Sequence, residues 1–399
     1  MVRVVEIDSL ESAKKEIGAV GSQKKGIEIM APKACYRVLK LYGISPVAAN
    51  IIKQEMLSFG GEAAVAYGTI NCSVKSTDLL LFGNLRHFQL LIRKLKMHQF
   101  NLPRVSEEIA LALENYEKKV AGLKIGKKYF DFSRRTYLLG ILNVTPDSFS
   151  DGGKFYRHED AVRRGMEMVK EGADIIDVGG ESTRPGARFV PEEEERRRVV
   201  PVVKELAKYG VIVSVDTRKA MVAKAALDVG AKMVNDVSAL GYDKKMGKVV
   251  AEYQVPVCLM HMKGTPANMQ KNPSYQDLMR EILEYLKKSI EIAENAGILQ
   301  EKIIVDPGIG FGKTVEHNLE ILKRLKEFRI LGQPILVGPS RKSVIGKVLN
   351  LPLEDRLEGT AALVAVAILN GAHMVRVHDV KEMSRVARMV DAVKKGLAG

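Results

Sequence analysis

From Tyr137 onward the chain alternates, eight times over, a short apolar run with a longer stretch of helical periodicity. The runs are YLLGIL, DIIDVGG, VIVSVD, KMVNDV, VPVCLMHM, KIIVDPG, PILVGPS and HMVRVHD. Near-continuous apolar runs of this length, rich in Val and Ile, suit strands buried on both faces, as in a parallel sheet. Stretches such as EDAVRRGMEMVKEG and LMREILEYLKKSIEIAENAG repeat apolar residues at helical spacing, as crossover helices should. Eight near-equal βα units filling about 260 residues predict a closed (β/α)8 TIM barrel. The competitor, a doubly wound open sheet, is disfavoured because no GxGxxG turn opens the series.

The barrel reading gives the polar residues a common address. In this fold chemistry gathers at the carboxyl ends of the strands, and nearly every run here ends in a group able to bind or react. Asn143 follows the first, Glu181, Thr183 and Arg184 the second, and Asp216 the third. Asn235 and Asp236 close the fourth, His261 the fifth and Asp306 the sixth. Ser340, Arg341 and Lys342 follow the seventh, and Arg376 and His378 the eighth. One such residue is ordinarily a cap or a satisfied core group, but so many polar groups at one rim are costly to bury without a ligand. Asp216, Asn235 and Asp306 form a set suited to the donor and acceptor edge of a flat nitrogen heterocycle. The cations after the last two strands suit a diphosphate, in the place where such barrels commonly bind phosphate.

Two loops carry further signals. In NVTPDSFSDGG, Asn143, Thr145, Asp147, Ser148, Ser150 and Asp151 offer oxygen ligands for a hard cation such as Mg2+, and Gly152 and Gly153 permit close backbone approach. DPGIGFGKT resembles a phosphate loop only superficially. The Walker pattern needs Gly where Pro307 stands, and GxGxxG needs Gly where Lys313 stands, so the expectation is a tight turn after the sixth strand.

At 399 residues the chain exceeds one ordinary core, and the first third reads as a separate, smaller α/β domain, with the boundary at 130/131. Ser45 and Pro46 start a helix that ends at Gly60 and Gly61. Strands are expected at 63–70 and 77–83, then a helix over NLRHFQLLIRKLKMHQ and another over SEEIALALENYEKKVAG, before the basic segment KIGKK. His87, His98 and Cys72 show no recurring ligand spacing and predict no metal site. Cys35, Cys72 and Cys258 are too scattered for a disulfide framework and read as core thiols. No apolar run approaches a membrane span or a signal peptide, so the expected location is the cytoplasm, without a membrane partner. The formal net charge of +14 leaves nucleic acid open as a partner, but Trp is absent and no basic run interleaves with aromatics, so no nucleic-acid partner is expected.

The motifs GILNVTPDSFSDGG, DIIDVGGESTRPGA, VSVDT, NDVSAL, DPGIGFGKT, GPSRK, RLEGTAA and RVHDV occur in the order of one family. From about 137 to 395 the chain resembles the dihydropteroate synthases. That resemblance implies condensation of 6-hydroxymethyl-7,8-dihydropterin diphosphate with 4-aminobenzoate, Mg2+ as cofactor, and a homodimer. It implies Asn143, Asp306, Lys342, Arg376 and His378 as catalytic, with Asn143 toward the metal. Asp216, Asn235, Asp306, Lys342, Arg376 and His378 would hold the pterin and its diphosphate. Thr183, Arg184, Ser340 and Arg341 would form or border the 4-aminobenzoate site. Corrinoid-linked pterin methyltransferases share the barrel and the acidic and amide set, but do not need a diphosphate site. Whether the arylamine is 4-aminobenzoate or a bulkier derivative, and what residues 1–130 do, the sequence leaves open.

Overall fold

The computed structural model describes residues 1–145, 154–182, 189–266 and 268–395. The chain divides into two compact units, Met1–Lys118 and Lys119–Gly399.

The first unit runs α1 (Leu10–Ala19), α2 (Lys24–Ala34), β1 (Tyr36–Ile44), α3 (Pro46–Ser58), β2 (Glu62–Val65), β3 (Thr77–Asn84), α4 (Leu85–Leu95) and α5 (Leu102–Glu117). Its sheet is antiparallel in the order β1-β3-β2. TDLLLFGN alternates buried and accessible residues, as a half-covered strand must. Its Leu79 and Leu81 pack with Ile52 and Met56 of α3, Phe88 and Leu91 of α4, and Val105 and Ile109 of α5. Ser45 caps α3 by accepting from the Ala48 N–H, with Pro46 at the first helical position, as the sequence indicates. The expected strand at 63–70 is shorter. It stops at Val65, and Tyr67–Thr69 form a 3-10 turn. The helix expected from Ser106 begins earlier, at Leu102.

The second unit opens with a hairpin, β4 (Gly122–Ile125) and β5 (Lys128–Asp131). The alternation continues through β6 (Tyr137–Asn143), α6 (Lys154–Glu171), β7 (Ile175–Gly179), α7 (Glu192–Lys208), β8 (Val213–Asp216) and α8 (Ala220–Asp228). β9 (Met233–Asp236), α9 (Met246–Tyr253), β10 (Val257–Met260), α10 (Leu278–Asn295), β11 (Ile303–Asp306) and α11 (Val315–Lys323) follow. The last elements are β12 (Leu336–Val337), α12 (Ser343–Leu349), α13 (Leu357–Leu369), β13 (Met374–Val377) and α14 (Val380–Lys395). Strands β6 to β13 form one parallel sheet of eight, β6 pairing with both β7 and β13. A parallel bridge between Val305 and Ile335 joins β11 to β12 and completes the ring. The barrel expected from the sequence is therefore the fold.

The division between units falls before the expected boundary at 130/131, for a reason visible in the packing. Leu123, Ile125, Phe130 and Phe132 of the hairpin region bury against Tyr137, Ile175, Met233, Cys258, Ile304, Leu336 and Met374, near the amino ends of the barrel strands. KIGKK, taken as a basic junction, is a hairpin turn with Gly126 at φ +60°. The hairpin plugs the bottom of the barrel and leaves the other end for chemistry.

Candidate active site

At the carboxyl end of the ring the strands converge on a buried charge cluster. Arg376, on β13, places Nε 2.6 Å from Asp177 Oδ2 and Nη2 2.6 Å from Asp216 Oδ2. Asn235 Nδ2 also donates to Asp177 Oδ2, at 3.0 Å. Two carboxylates thus share one guanidinium. Burial pushes the Asp216 carboxyl up to about 7, with Arg376 pulling it down and the charge of Asp177 adding to the rise. Arg376 itself, despite its burial, is held even more firmly protonated by Asp177 and Asp216. The second oxygens, Asp177 Oδ1 and Asp216 Oδ1, are buried with no partner among the described residues. Buried carboxylate oxygens ordinarily have donors, so these two mark where a ligand's N–H groups belong.

Asp306 ends β11 beside this cluster and accepts from the Gly308 N–H at 2.7 Å. Burial raises its carboxyl to about 6, against the pull of that bond and of Lys342. Lys342 precedes α12, with its ammonium 4.1 Å from the centre of the Phe311 ring. Asn143 ends β6 half-buried, its amide a single neutral ligand.

The chain's segment 139–378 matches the family model described as "Pterin binding enzyme". Dihydropteroate synthase of Clostridium beijerinckii is 53% identical over 273 residues, 68% of this chain and 99% of that protein. The chain belongs to the dihydropteroate synthase family. The structure of the Xanthomonas albilineans dihydropteroate synthase with 4-aminobenzoic acid superposes with a TM-score of 0.65 at 42% identity, covering 69% of this chain and 99% of that one. A probable bifunctional folylpolyglutamate synthase/dihydropteroate synthase of Halobacterium salinarum is 39% identical over 394 residues, 98% of this chain and 47% of that protein. That match takes in the first unit as well as the barrel.

The remaining strand ends can be sorted by what they touch. Ser340 Oγ accepts from the His378 N–H at 3.1 Å and lies 3.0 Å from His378 Nδ1. Burial and the nearby Arg376, Arg341 and Lys342 hold His378 neutral, with its pKa lowered to about 3. Arg341, expected to border the 4-aminobenzoate site, has its guanidinium on both oxygens of Asp379, at 3.0 and 2.5 Å. Its backbone is left-handed, φ +54°. Thr183 and Arg184 lie outside the described residues.

Three strand-end residues serve structure instead. Asp236 is spent on its own turn, accepting from Ser238 N, Ser238 Oγ and Leu240 N. Glu181 is held by Lys219 and Arg218. His261 is bonded to Lys313. The residue that sequence reasoning missed is Asp177, fully buried at the centre of β7. Its signal was present: a strand covered on both faces should read as unbroken apolar sequence, and DIIDVGG interrupts that with a carboxylate in mid-run.

Proposed function

We propose that the chain condenses 6-hydroxymethyl-7,8-dihydropterin diphosphate with 4-aminobenzoate, giving 7,8-dihydropteroate and pyrophosphate. The observation that carries the reading is the pair of unpartnered oxygens on Asp177 and Asp216 beside Arg376. A pterin has the amino and ring N–H donors to meet such acceptors. Asp216, Asn235, Asp306 and Lys342 grip the ring in this scheme, while Arg376 and His378 face the diphosphate. In this scheme the neutral His378 ring hydrogen-bonds a diphosphate oxygen through Nε2–H and adds no charge.

The C–O bond between the pterin methylene and the diphosphate breaks first, with both electrons leaving on pyrophosphate. The electron-rich ring carries the resulting positive charge, and the Asp306 carboxylate opposes it. The aniline nitrogen of 4-aminobenzoate then forms the C–N bond and releases its proton, so no side-chain nucleophile is needed. Ser340 and Arg341, with Thr183 and Arg184, border the arylamine in this assignment. The Xanthomonas albilineans enzyme, for its part, has been captured with 4-aminobenzoic acid.

Mg2+ keeps water and substrate phosphate among its ligands and takes few from protein, so the single amide oxygen of Asn143 fits it. Bound there with the diphosphate, it would neutralise charge on the leaving group. Cytoplasmic residence belongs to the same reading, in keeping with the free thiols of Cys35 and Cys258 in the core and of Cys72, which is exposed and not the core thiol expected. No helix among the described residues is long and apolar enough to cross a membrane.

A homodimer is part of the proposal, and α13 supports it. LEGTAALVAVAIL is apolar on every side, which suits a helix covered on every side. Yet its Val366 and Leu369 are exposed, as are Met389 and Val393 of α14 and Val348 and Leu349 of α12. A second copy would cover them.

The deciding experiment is pyrophosphate release by the purified protein given the pterin diphosphate, with and without 4-aminobenzoate. Turnover that needs both substrates is the expected result. Absence of turnover in the presence of Mg2+ would refute the assignment.

A further inference from the structure

The barrel mouth also holds a buried lysine that the reaction above does not use. Lys313 ends the DPGIGFGK turn, only 3% exposed. Its Nζ lies 2.9 Å from His261 Nδ1 and donates to the Phe311 carbonyl at 3.0 Å, with the His261 carbonyl at 3.4 Å. Three acceptors therefore surround an ammonium with three N–H bonds. Burial lowers the Lys313 pKa to about 7, with Asp306 favouring the charge and Lys342 opposing it. A charge held at that cost calls for a return elsewhere.

The return lies in how tightly two loops interlock around it. At Gly308 an added Cβ would lie 2.0 Å from the His261 carbonyl oxygen, and at Gly312 one would lie 2.3 Å from that of Lys263. The turn after β11 is thus pressed directly onto the backbone after β10. Tyr275 Oη donates to Gly312 O and Gln270 Nε2 to Gly310 O, each at 2.7 Å. Phe311, between these fastenings, packs with Val237, Met260 and Met269. Its ring faces the Lys342 ammonium, and the Lys342 stem passes close to Gly310.

We propose that Lys313 is a positioning residue for the pterin subsite, fastening the 308–312 turn to His261 and so setting Phe311 against Lys342. The inference rests on the reading of Asp306 and Lys342 as pterin contacts. Without the ammonium, the Phe311 carbonyl and His261 Nδ1 both lose their bond, and the wall behind Lys342 is released. Arg376, on β13, and His378, just after it, bond to neither loop and keep their partners.

The test compares full-length wild type, Lys313→Met and Lys313→Arg by calorimetry and by steady-state kinetics. Methionine keeps the apolar volume and removes the donors. The expected result is pterin diphosphate binding weakened about tenfold, the scale of a lost buried hydrogen-bond set. KM for 4-aminobenzoate and binding of pyrophosphate alone should hardly move, and arginine should restore part of the pterin affinity. If the methionine variant does not fold, Tyr275→Phe loosens the same turn from the other loop and should weaken pterin binding in the same selective way. A uniform fall in kcat with pterin affinity intact would overturn the proposal, as would equal weakening of pyrophosphate. Wild type that fails to bind the pterin diphosphate would refute the functional reading, and the positioning role with it. Wild-type binding with an unchanged methionine variant would remove the positioning role alone.

Discussion

Asp306 carries opposite consequences for stability and for chemistry. Burial raises its carboxyl from 3.8 to about 6. The unfolded chain gives up that proton near its ordinary value, whereas the folded chain keeps it until about pH 6. Stability therefore falls as pH rises between those values, and the loss, roughly 3 kcal/mol, stays in full above them. Asp306→Asn keeps an oxygen to accept from Gly308, so it should raise the melting temperature near pH 8, flatten the slope on the acid side, and lose turnover. Calorimetry at both ends of that range checks the sign. Asp177→Ala should act otherwise. It strips a partner from Arg376 and from Asn235, costing about 1–3 kcal/mol in denaturant unfolding and weakening the pterin diphosphate. Asp216, Asn235, Asp306 and Arg376 were legible because they stand at or beside the ends of their runs. Asp177 stands in the middle of one, and only the closing of the ring shows that its side chain points to the shared interior.

The β4–β5 hairpin has no part in the chemistry, yet it fills the end of the barrel opposite the site. Phe130 is fully buried there, its ring 4.8 Å from that of Tyr137. Phe130→Ala should cost about 3–5 kcal/mol by the cavity it leaves, read as a lowered melting temperature. Turnover per folded molecule should be retained at low temperature, because the strand ends that carry the site lie at the other rim. The eight barrel strands were legible because each is a compact β-branched run between helix signals. The hairpin was not, since lysines at the turn masked two short strands whose apolar residues pack against side chains far along the chain. β1 shows the same difficulty: YRVLKLYGI mixes cations with apolar residues, and its side chains alternate between exposed and half-buried only as far as Leu41.

For the whole molecule, every proposed site residue lies in Lys119–Gly399, so a chain begun at Lys119 should fold and turn over. A chain begun at Lys127 removes β4 and should aggregate or melt early. A soluble, folded Lys119–Gly399 fragment without turnover, measured as pyrophosphate release, would assign the first unit a catalytic part. The homodimer is open to an equally direct test. Val366→Glu with Leu369→Glu puts charge on the apolar helix, and the mass seen by sedimentation should fall to that of one chain. Size and charge alone could indicate two units but not a self-association surface, because an apolar helix reads the same whether its own fold or another copy covers it.

The ring closes between its first and last paired strands, β6 and β13, and Arg376 meets Asp177 across 199 residues of sequence. On the ribosome, Asp177 and Asp216 emerge long before their counter-ion. A nascent half-barrel would have to bury both carboxyls without that guanidinium, as unpaired charges or as protonated acids, and either form costs stability. The guanidinium that completes the cluster is thus supplied only once β13 has been made, so the balance of charge at the strand ends belongs to the finished ring and to no shorter piece of it.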